Sequence, residues 1–249
     1  MPACHGSPAR TDAAPSAAPA SSAPRDAAGA SDSRLAVVQI GAGARGDAAL
    51  VLLHGWGAQG DDLVPLARAL ARPNTTIFVP AAPLTQGGGR AWWHFDPTAP
   101  RAYAQGDSAP PGYPLNPAVA SARRAVQTLV REVSERLAPP RMALAGFSLG
   151  AMLALDVALQ CEPRIDRVAV LSGALLFDSL PALHAACSAR PRVLVTHGQF
   201  DPVIPFANAE HAAAVLEQRG LTVDFRLFAG RHEIPREVRL ALPDFLFAG

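Results

Sequence analysis

The chain has 249 residues, a formal net charge of +1 and 49% hydrophobic residues. The balanced charge excludes the strongly basic surface that nucleic-acid partners require, and the length suffices for one sizeable core. Its three cysteines, Cys4, Cys161 and Cys187, match no disulfide framework and no metal-ligand spacing. We expect Cys161 and Cys187 to be small buried or half-buried residues. No apolar stretch reaches the roughly 18 residues that span a bilayer.

Residues 1–33 consist mostly of Ala, Pro, Ser and Gly and have no Leu, Ile, Val or aromatic residue. Such a segment buries too little apolar surface to offset its ordering entropy, so we predict a disordered tail. The segment has no apolar region of a signal peptide, which favours a cytoplasmic protein. The alternative is a lipid-anchored or periplasmic protein, if a signal peptide upstream of Met1 ends just before Cys4.

From residue 34 to residue 249 the pattern predicts one folded domain in which strands alternate with helices. The predicted strands are 35–40, 48–54, 75–79, 141–145, 168–171, 192–196 and 222–228. The predicted helices are 63–70, 119–137, 149–159, 180–187, 206–219 and one that begins at residue 234. This alternation predicts an α/β fold with a doubly wound, mostly parallel sheet and helices on both faces. Functional sites of such folds lie at the carboxyl ends of the strands.

The segment Gly146-Phe147-Ser148-Leu149-Gly150 stands at the junction of a predicted strand and a predicted helix. Gly-x-Ser-x-Gly at this place is typical of a nucleophile elbow, a tight turn that exposes the serine hydroxyl. We therefore predict that Ser148 is a catalytic nucleophile.

A serine nucleophile needs a base, and the base needs a carboxylate that orients it. In elbow-type folds the three residues occur along the chain in the order Ser, then Asp or Glu, then His. Asp201 follows the strand 192–196, and His232 follows the last strand. The sequence leaves Asp178 open as an alternative acid, because it also follows a strand. His211 falls within a predicted helix and is expected to be a surface residue.

Backbone N–H groups would stabilise the oxyanion of the tetrahedral intermediate. We predict the N–H of Leu149 as one donor and the N–H of Trp56 as the other, with Gly57 as the alternative to Trp56. His54, at the end of its strand, is expected to be structural.

The long segment between residues 80 and 117 is rich in Pro, Gly and aromatic residues. Trp92 and Trp93, with Phe95, are predicted to bind the acyl part of a substrate, since ligand pockets are mostly apolar. The alternative is that these rings only anchor the loop on the core. Gly87-Gly88-Gly89 is predicted to be a flexible loop.

Several motifs together resemble the phospholipase/carboxylesterase family of the α/β-hydrolase superfamily, which includes the acyl-protein thioesterases. They are His54-Gly55-x-Gly57, Arg90-Ala91-Trp92-Trp93, the Ser148 pentapeptide, His197-Gly198-x-x-Asp201-x-Val203-Ile204-Pro205 and His232-Glu233-Ile234-Pro235. The resemblance implies Ser148, Asp201 and His232 as the catalytic triad, no large lid domain, no cofactor and no metal. One departure is Leu149, where the acyl-protein thioesterases carry Gln.

The sequence thus predicts a serine hydrolase of carboxylic esters that acts on a small-molecule ester. Thioesterase or lysophospholipase activity would use the same three residues, and transfer of the acyl group to an acceptor other than water is a further alternative. A non-catalytic binding protein of the same fold is the alternative of a different class.

Overall fold

The computed structural model describes residues 34–41, 43, 45–94, 108–109, 113–187 and 189–247. The predicted tail 1–33 and Phe95 lie outside the described residues. The strands are β1 (Val37–Ile40), β2 (Ala48–Leu53), β3 (Thr75–Pro80), β4 (Leu84–Gln86), β5 (Gly89–Ala91), β6 (Met142–Phe147), β7 (Arg167–Leu171), β8 (Arg192–Gly198) and β9 (Val223–Phe228). The helices are α1 (Val64–Leu70), α2 (Pro117–Leu137), α3 (Leu149–Leu159), α4 (Leu180–His184), α5 (Ala207–Gln218) and α6 (Arg236–Phe247), with a 3₁₀ turn at Phe177–Ser179 before α4.

A seven-stranded sheet in the order β1-β3-β2-β6-β7-β8-β9 forms the centre of the fold. Only β1 pairs antiparallel, with β3, and the other pairs are parallel. The chain moves outward from β2 to β3 and then returns to place β6 on the other side of β2. The ends of β2 and β6 therefore form the switch point at which doubly wound sheets bind ligands. The predicted sheet is confirmed.

Side chains of successive strand residues point to opposite faces of the sheet, and each face has its own core. In β2, Leu50 and Leu52 pack in one cluster with apolar residues of α1 and α6. Ala49, Val51 and Leu53 pack in the other cluster, with residues of α2, α3, α4 and α5. This two-sided burial explains why the parallel strands read as continuous apolar runs in the sequence.

The two central helices of the second face differ in how much of their surface is buried. α2 buries one stripe, whereas all 11 residues of α3 are buried. The only charge on α3, Asp156, is neutralised by Arg123 of α2, whose guanidinium lies 2.6 and 2.9 Å from the two carboxylate oxygens. Ser179 donates a further hydrogen bond of 2.8 Å to Asp156. A buried charge needs such partners, so this pair fixes α2 against α3.

A short hairpin that the sequence did not predict lies between β3 and α2. β4 and β5 pair antiparallel around a turn at Gly87 and Gly88, both with positive φ. Gly87-Gly88-Gly89 is thus a hairpin turn and the start of β5, rather than a flexible loop. The strands have only three residues each, which is too short for a recognisable alternation.

The structure also corrects the interpretation of the cysteines. Cys161 and Cys187 form a disulfide across a sequence separation of 26 residues. The bond joins the residue after the C-cap of α3 to the segment that follows α4. The chain has three cysteines, and a separation of 26 residues matches no known disulfide motif. Only the fold therefore shows which cysteines pair.

Among the described residues, no helix combines the length and the hydropathy needed to cross a bilayer.

We predict that loss of this disulfide destabilises the protein by about 2–4 kcal/mol, because the bond restricts the unfolded chain over a loop of this length. Urea unfolding with and without dithiothreitol measures the effect. The Cys161→Ser variant is the control, since a reductant should not change its unfolding midpoint. Identical midpoints for the oxidised and reduced wild type would contradict the prediction.

Candidate active site

Ser148 occupies the sharp turn between β6 and α3. β6 ends at Phe147 and α3 begins at Leu149, so Ser148 is the single residue between them. Its backbone has φ 55° and ψ −120°, a conformation that residues with a side chain rarely adopt and that is retained at functional sites. The N–H of Ser148 donates a 2.9 Å hydrogen bond to the carbonyl of Leu171 in β7. The predicted elbow is therefore present in the structure.

The glycines of the pentapeptide are required by close backbone contacts. A Cβ on Gly146 would lie 2.2 Å from the carbonyl oxygen of Gly150. A Cβ on Gly150 would lie 2.4 Å from the carbonyl oxygens of Leu53 and His54. These contacts are with backbone and cannot be relieved by side-chain movement, so the turn tolerates only glycine at both positions.

Asp201 lies in the turn after β8 and is 8% exposed. Its Oδ1 accepts hydrogen bonds from the N–H groups of Val203 (2.8 Å) and Ile204 (2.9 Å). Its Oδ2 lies 2.7 Å from Nδ1 of His232. The two backbone bonds fix the carboxylate and direct its second oxygen to the imidazole.

His232 follows β9, and its ring packs against Phe147 with centroids 4.8 Å apart. Since Asp201 accepts at Nδ1, the hydrogen-bond network assigns the neutral ring a proton on Nδ1 and a lone pair on Nε2. The contact with Phe147 holds this ring beside the residue that precedes Ser148. The structure thus brings Asp201 and His232 into direct contact next to the elbow.

His197, at the penultimate position of β8, is a residue that the sequence analysis did not assign to the site. It is fully buried, and its Nε2 lies 2.8 Å from the carbonyl of Ile204 and 3.1 Å from Oδ2 of Asp201. Nε2 therefore carries a proton and donates to these oxygens, while Nδ1 has no hydrogen-bond partner among the residues that the structure describes. Burial lowers the pKa of His197, which keeps the ring neutral behind the carboxylate. The spacing of four residues between His197 and Asp201 is the sequence feature that could have indicated this contact.

The loop after β2 carries the candidate oxyanion donors. The N–H of Gly57 donates a 2.9 Å hydrogen bond to the carbonyl of Arg90 in β5. It is thus engaged with the hairpin, which argues against Gly57 as the alternative donor. The indole N–H of the neighbouring Trp56 donates to the side chain of Gln86 at 3.2 Å, so the hairpin also orients this residue.

The other candidate donor is the N–H of Leu149, directly after Ser148. Leu149 is the first residue of α3, and an N–H at this position has no acceptor within its own helix. The loop after β2 approaches the elbow closely, since a Cβ on Gly55 would lie 3.3 Å from Cβ of Ser148. Trp56 and Leu149 therefore flank Ser148, and their role as oxyanion donors stays a prediction.

His54 has the structural environment that the sequence indicated. It is fully buried; its Nδ1 donates to the carbonyl of Gly55 at 2.7 Å and its Nε2 accepts from the N–H of Ala82 at 2.9 Å. Burial lowers its pKa. Both ring nitrogens are used, so His54 joins the loop after β2 to the segment after β3.

Trp92 and Trp93 are 2% and 5% exposed and belong to the core cluster. The indole N–H of Trp92 donates a 2.9 Å hydrogen bond to the carbonyl of His54. These contacts fit the anchoring alternative for Trp92. A part in substrate binding stays a prediction for both residues.

Asp178, the alternative acid, is used elsewhere in the fold. Its Oδ1 accepts a 2.6 Å hydrogen bond from the N–H of Asn116, which caps α2, and its Oδ2 lies 3.4 Å from the hydroxyl of Tyr113. Asp178 therefore stabilises the start of α2, while Asp201 contacts the imidazole.

A cavity of about 770 Å³ adjoins His232. Its walls come from the loop after β2, from α1, from Phe147 and from the segment 232–240 at the start of α6. The sequence analysis assigned no binding role to α1 or α6, because their wall residues are separated by most of the chain.

We expect His54 and His197 to make stability depend on pH, because burial lowers both pKa values. As the pH falls, the two imidazoles are protonated in the unfolded chain before they are protonated in the folded protein. Their contribution to the free energy of unfolding is therefore complete above about pH 6.5 and is lost as the pH falls below that value. Each histidine lowers the free energy of unfolding by at most about 1.4 kcal/mol for each pH unit.

Urea unfolding between about pH 5 and 7.5 measures this dependence. His197→Gln should show a shallower decrease in unfolding free energy than the wild type, since glutamine does not titrate. His184→Gln is the matched control, because His184 is exposed at the end of α4. An unchanged slope in His197→Gln and in His54→Gln would refute the assignment.

Comparison with known proteins shows the family of the chain. Residues 35–247 match the model of a family described as Phospholipase/Carboxylesterase. Over 113 residues the chain is 26% identical to acyl-protein thioesterase 1 of Gibberella zeae, a match that covers 43% of this chain and 48% of that protein. The chain thus matches about half the length of this curated relative.

Two solved structures resemble the chain over most of its length. Esterase PE8 superposes with a TM-score of 0.73 at 25% identity, covering 86% of this chain and 98% of that one. A carboxylesterase from Mesorhizobium loti superposes with a TM-score of 0.67 at 25% identity, covering 85% and 93%. With the family match, these similarities confirm the predicted fold: the chain belongs to the phospholipase/carboxylesterase family and has the α/β-hydrolase fold.

Proposed function

We propose that this protein hydrolyses carboxylic esters through an acyl-enzyme on Ser148, with His232 as the base and Asp201 as the orienting acid. The observation that carries the proposal is the 2.7 Å contact between Asp201 and His232 beside the strained turn of Ser148. Family membership supports the same reaction class.

In the proposed reaction, Oγ of Ser148 attacks the ester carbonyl carbon while its proton passes to Nε2 of His232. Asp201 accepts from Nδ1 and stabilises the imidazolium that forms. The N–H groups of Trp56 and Leu149 donate to the oxyanion. The tetrahedral intermediate collapses, and the proton on Nε2 passes to the alcohol as it leaves. A water molecule, deprotonated by His232, then attacks the acyl-enzyme and releases the acid and free Ser148.

Thioester hydrolysis is the second candidate reaction. It needs the same attack on a carbonyl carbon with a thiol as the leaving group, and the relative from Gibberella zeae is named acyl-protein thioesterase 1. Parallel assays with an oxygen ester and a thioester of the same acid separate the two reactions.

We also propose that the protein acts in an oxidising compartment, as in the periplasmic or lipid-anchored alternative. The Cys161–Cys187 disulfide supports this location, because disulfides form and persist where thiols are not kept reduced. Alkylation of thiols in freshly lysed cells tests it. Two protected cysteines are expected, and modification of Cys161 and Cys187 without prior reduction would contradict the location.

We expect Ser148→Ala to lower kcat/KM for p-nitrophenyl butyrate by about 10⁴-fold or more, because the residual rate then comes from binding and the oxyanion donors alone. Unchanged circular dichroism must accompany the loss. A variant with near-normal turnover would overturn the proposal.

Asp201→Asn is expected to lower kcat by about 10³- to 10⁴-fold, because an amide would hold His232 in the wrong tautomer. Asp178→Asn is the matched control, with the same chemical change at a carboxylate that contacts the start of α2. A severe loss for Asp178→Asn together with a mild one for Asp201→Asn would show that the acid is misassigned.

A further inference from the structure

The cavity beside His232 combines an apolar interior with charged groups from the segment before α1 and from the start of α6. Leu66 of α1, Phe147 of the elbow, Ile234 and Leu240 contribute apolar surface. The charged side chains that line it are Asp62, Glu233, Arg236 and Arg239. An apolar cavity with a few charged groups is the usual form of a small-molecule site, and the charged groups select the ligand.

The two carboxylates of this cavity are engaged by backbone N–H groups. Oδ2 of Asp62 accepts from the N–H groups of Gln59 (2.6 Å) and Gly60 (3.1 Å). Oε1 of Glu233 accepts from the N–H of Arg231 at 3.1 Å. These hydrogen bonds hold the acids in their own loops, and among the described residues neither carboxylate forms an ion pair with Arg236 or Arg239.

The two arginines, by contrast, have unused donors. Within the part of the chain that the structure describes, neither guanidinium of Arg236 and Arg239 forms an ion pair or a side-chain hydrogen bond. They are three residues apart in α6, so they share a helix face and are separated by roughly 4.5 Å along the axis. Two adjacent guanidinium groups match the oxygen atoms of a carboxylate or phosphate.

We propose that this cavity selects esters that carry an anionic group beyond an apolar segment, with Arg236 and Arg239 as the groups that bind the anion. The inference rests on the proposed ester hydrolysis, because the cavity adjoins His232. The apolar segment would lie along Leu66, Ile234 and Leu240, and the anion would lie at the α6 wall.

Matched substrates test the proposal with the full chain. The first set pairs p-nitrophenyl esters of pentanoic, heptanoic and nonanoic acids with the mono-p-nitrophenyl esters of glutaric, pimelic and azelaic acids, which have the same chain lengths and a terminal carboxylate. The second pair, phenyl acetate and 4-acetoxybenzoate, places the anion on the alcohol part. The ratio of kcat/KM for anionic and neutral partners is the measured quantity.

The wild type is expected to prefer the anionic partner by about 10-fold at its best chain length, and the preference should decrease when salt is raised from about 20 to 500 mM. The set that shows the preference tells whether the cavity binds the acyl or the alcohol part. In the double variant Arg236→Gln, Arg239→Gln the ratio should fall to about 1, mainly through a higher KM for the anionic ester.

The double variant Arg124→Gln, Arg131→Gln is the charge-matched control, because both arginines are exposed on α2, away from the cavity, and within the described residues Arg131 has a side-chain hydrogen bond to Thr128 alone. It should keep the wild-type ratio. Hydrolysis of the neutral esters, lost in Ser148→Ala, tests the proposed function separately. If the neutral esters are cleaved but neither set shows an anionic preference, or the double variant retains it, the inference is refuted.

Discussion

The close approach of three backbone segments around Ser148 constrains everything else in the candidate site. Gly150 lies against the end of β2, and the N–H of Ser148 is bonded to β7. The turn therefore has no room to relax toward a common conformation, and the cost of its φ of 55° is met by the buried sheet and by α3. The helix that follows the turn, α3, is fully buried and also holds the turn in place. The hydroxyl therefore stands on a turn that is held by closely packed backbone, which is the placement that a nucleophile needs.

The carboxylate of Asp201 is the electrostatic centre of the site. Its two oxygens lie near four N–H donors: the backbone groups of Val203 and Ile204, and the rings of His232 and His197. The backbone donors set its orientation, and His197 closes the buried side. Among the described residues, Nδ1 of His197 has no hydrogen-bond partner.

The hairpin of β4 and β5 links the loop after β2 to the rest of the site. It bonds the N–H of Gly57 and orients the indole of Trp56, while His54 and Trp92 connect the same loop to the core. The loop on one side of Ser148 is therefore held by several independent contacts. An oxyanion site requires donors that do not move during the reaction, and this arrangement provides that rigidity.

The sequence by itself determined the sheet and the order of its elements, and it led to the proposal of Ser148, Asp201 and His232 as the catalytic residues. Buried strands and amphipathic helices can be recognised from hydrophobic patterns that extend over many residues. A nucleophile elbow can be recognised from the glycines of one short motif. Only the tertiary structure decided what depends on residues far apart in the chain. The engagement of Gly57 by Arg90, the Cys161–Cys187 bond and the cavity between α1 and α6 are of this kind. Each of these contacts joins segments that are distant in the sequence, and neither segment alone indicates its partner. The packing of the whole sheet decides which segments meet.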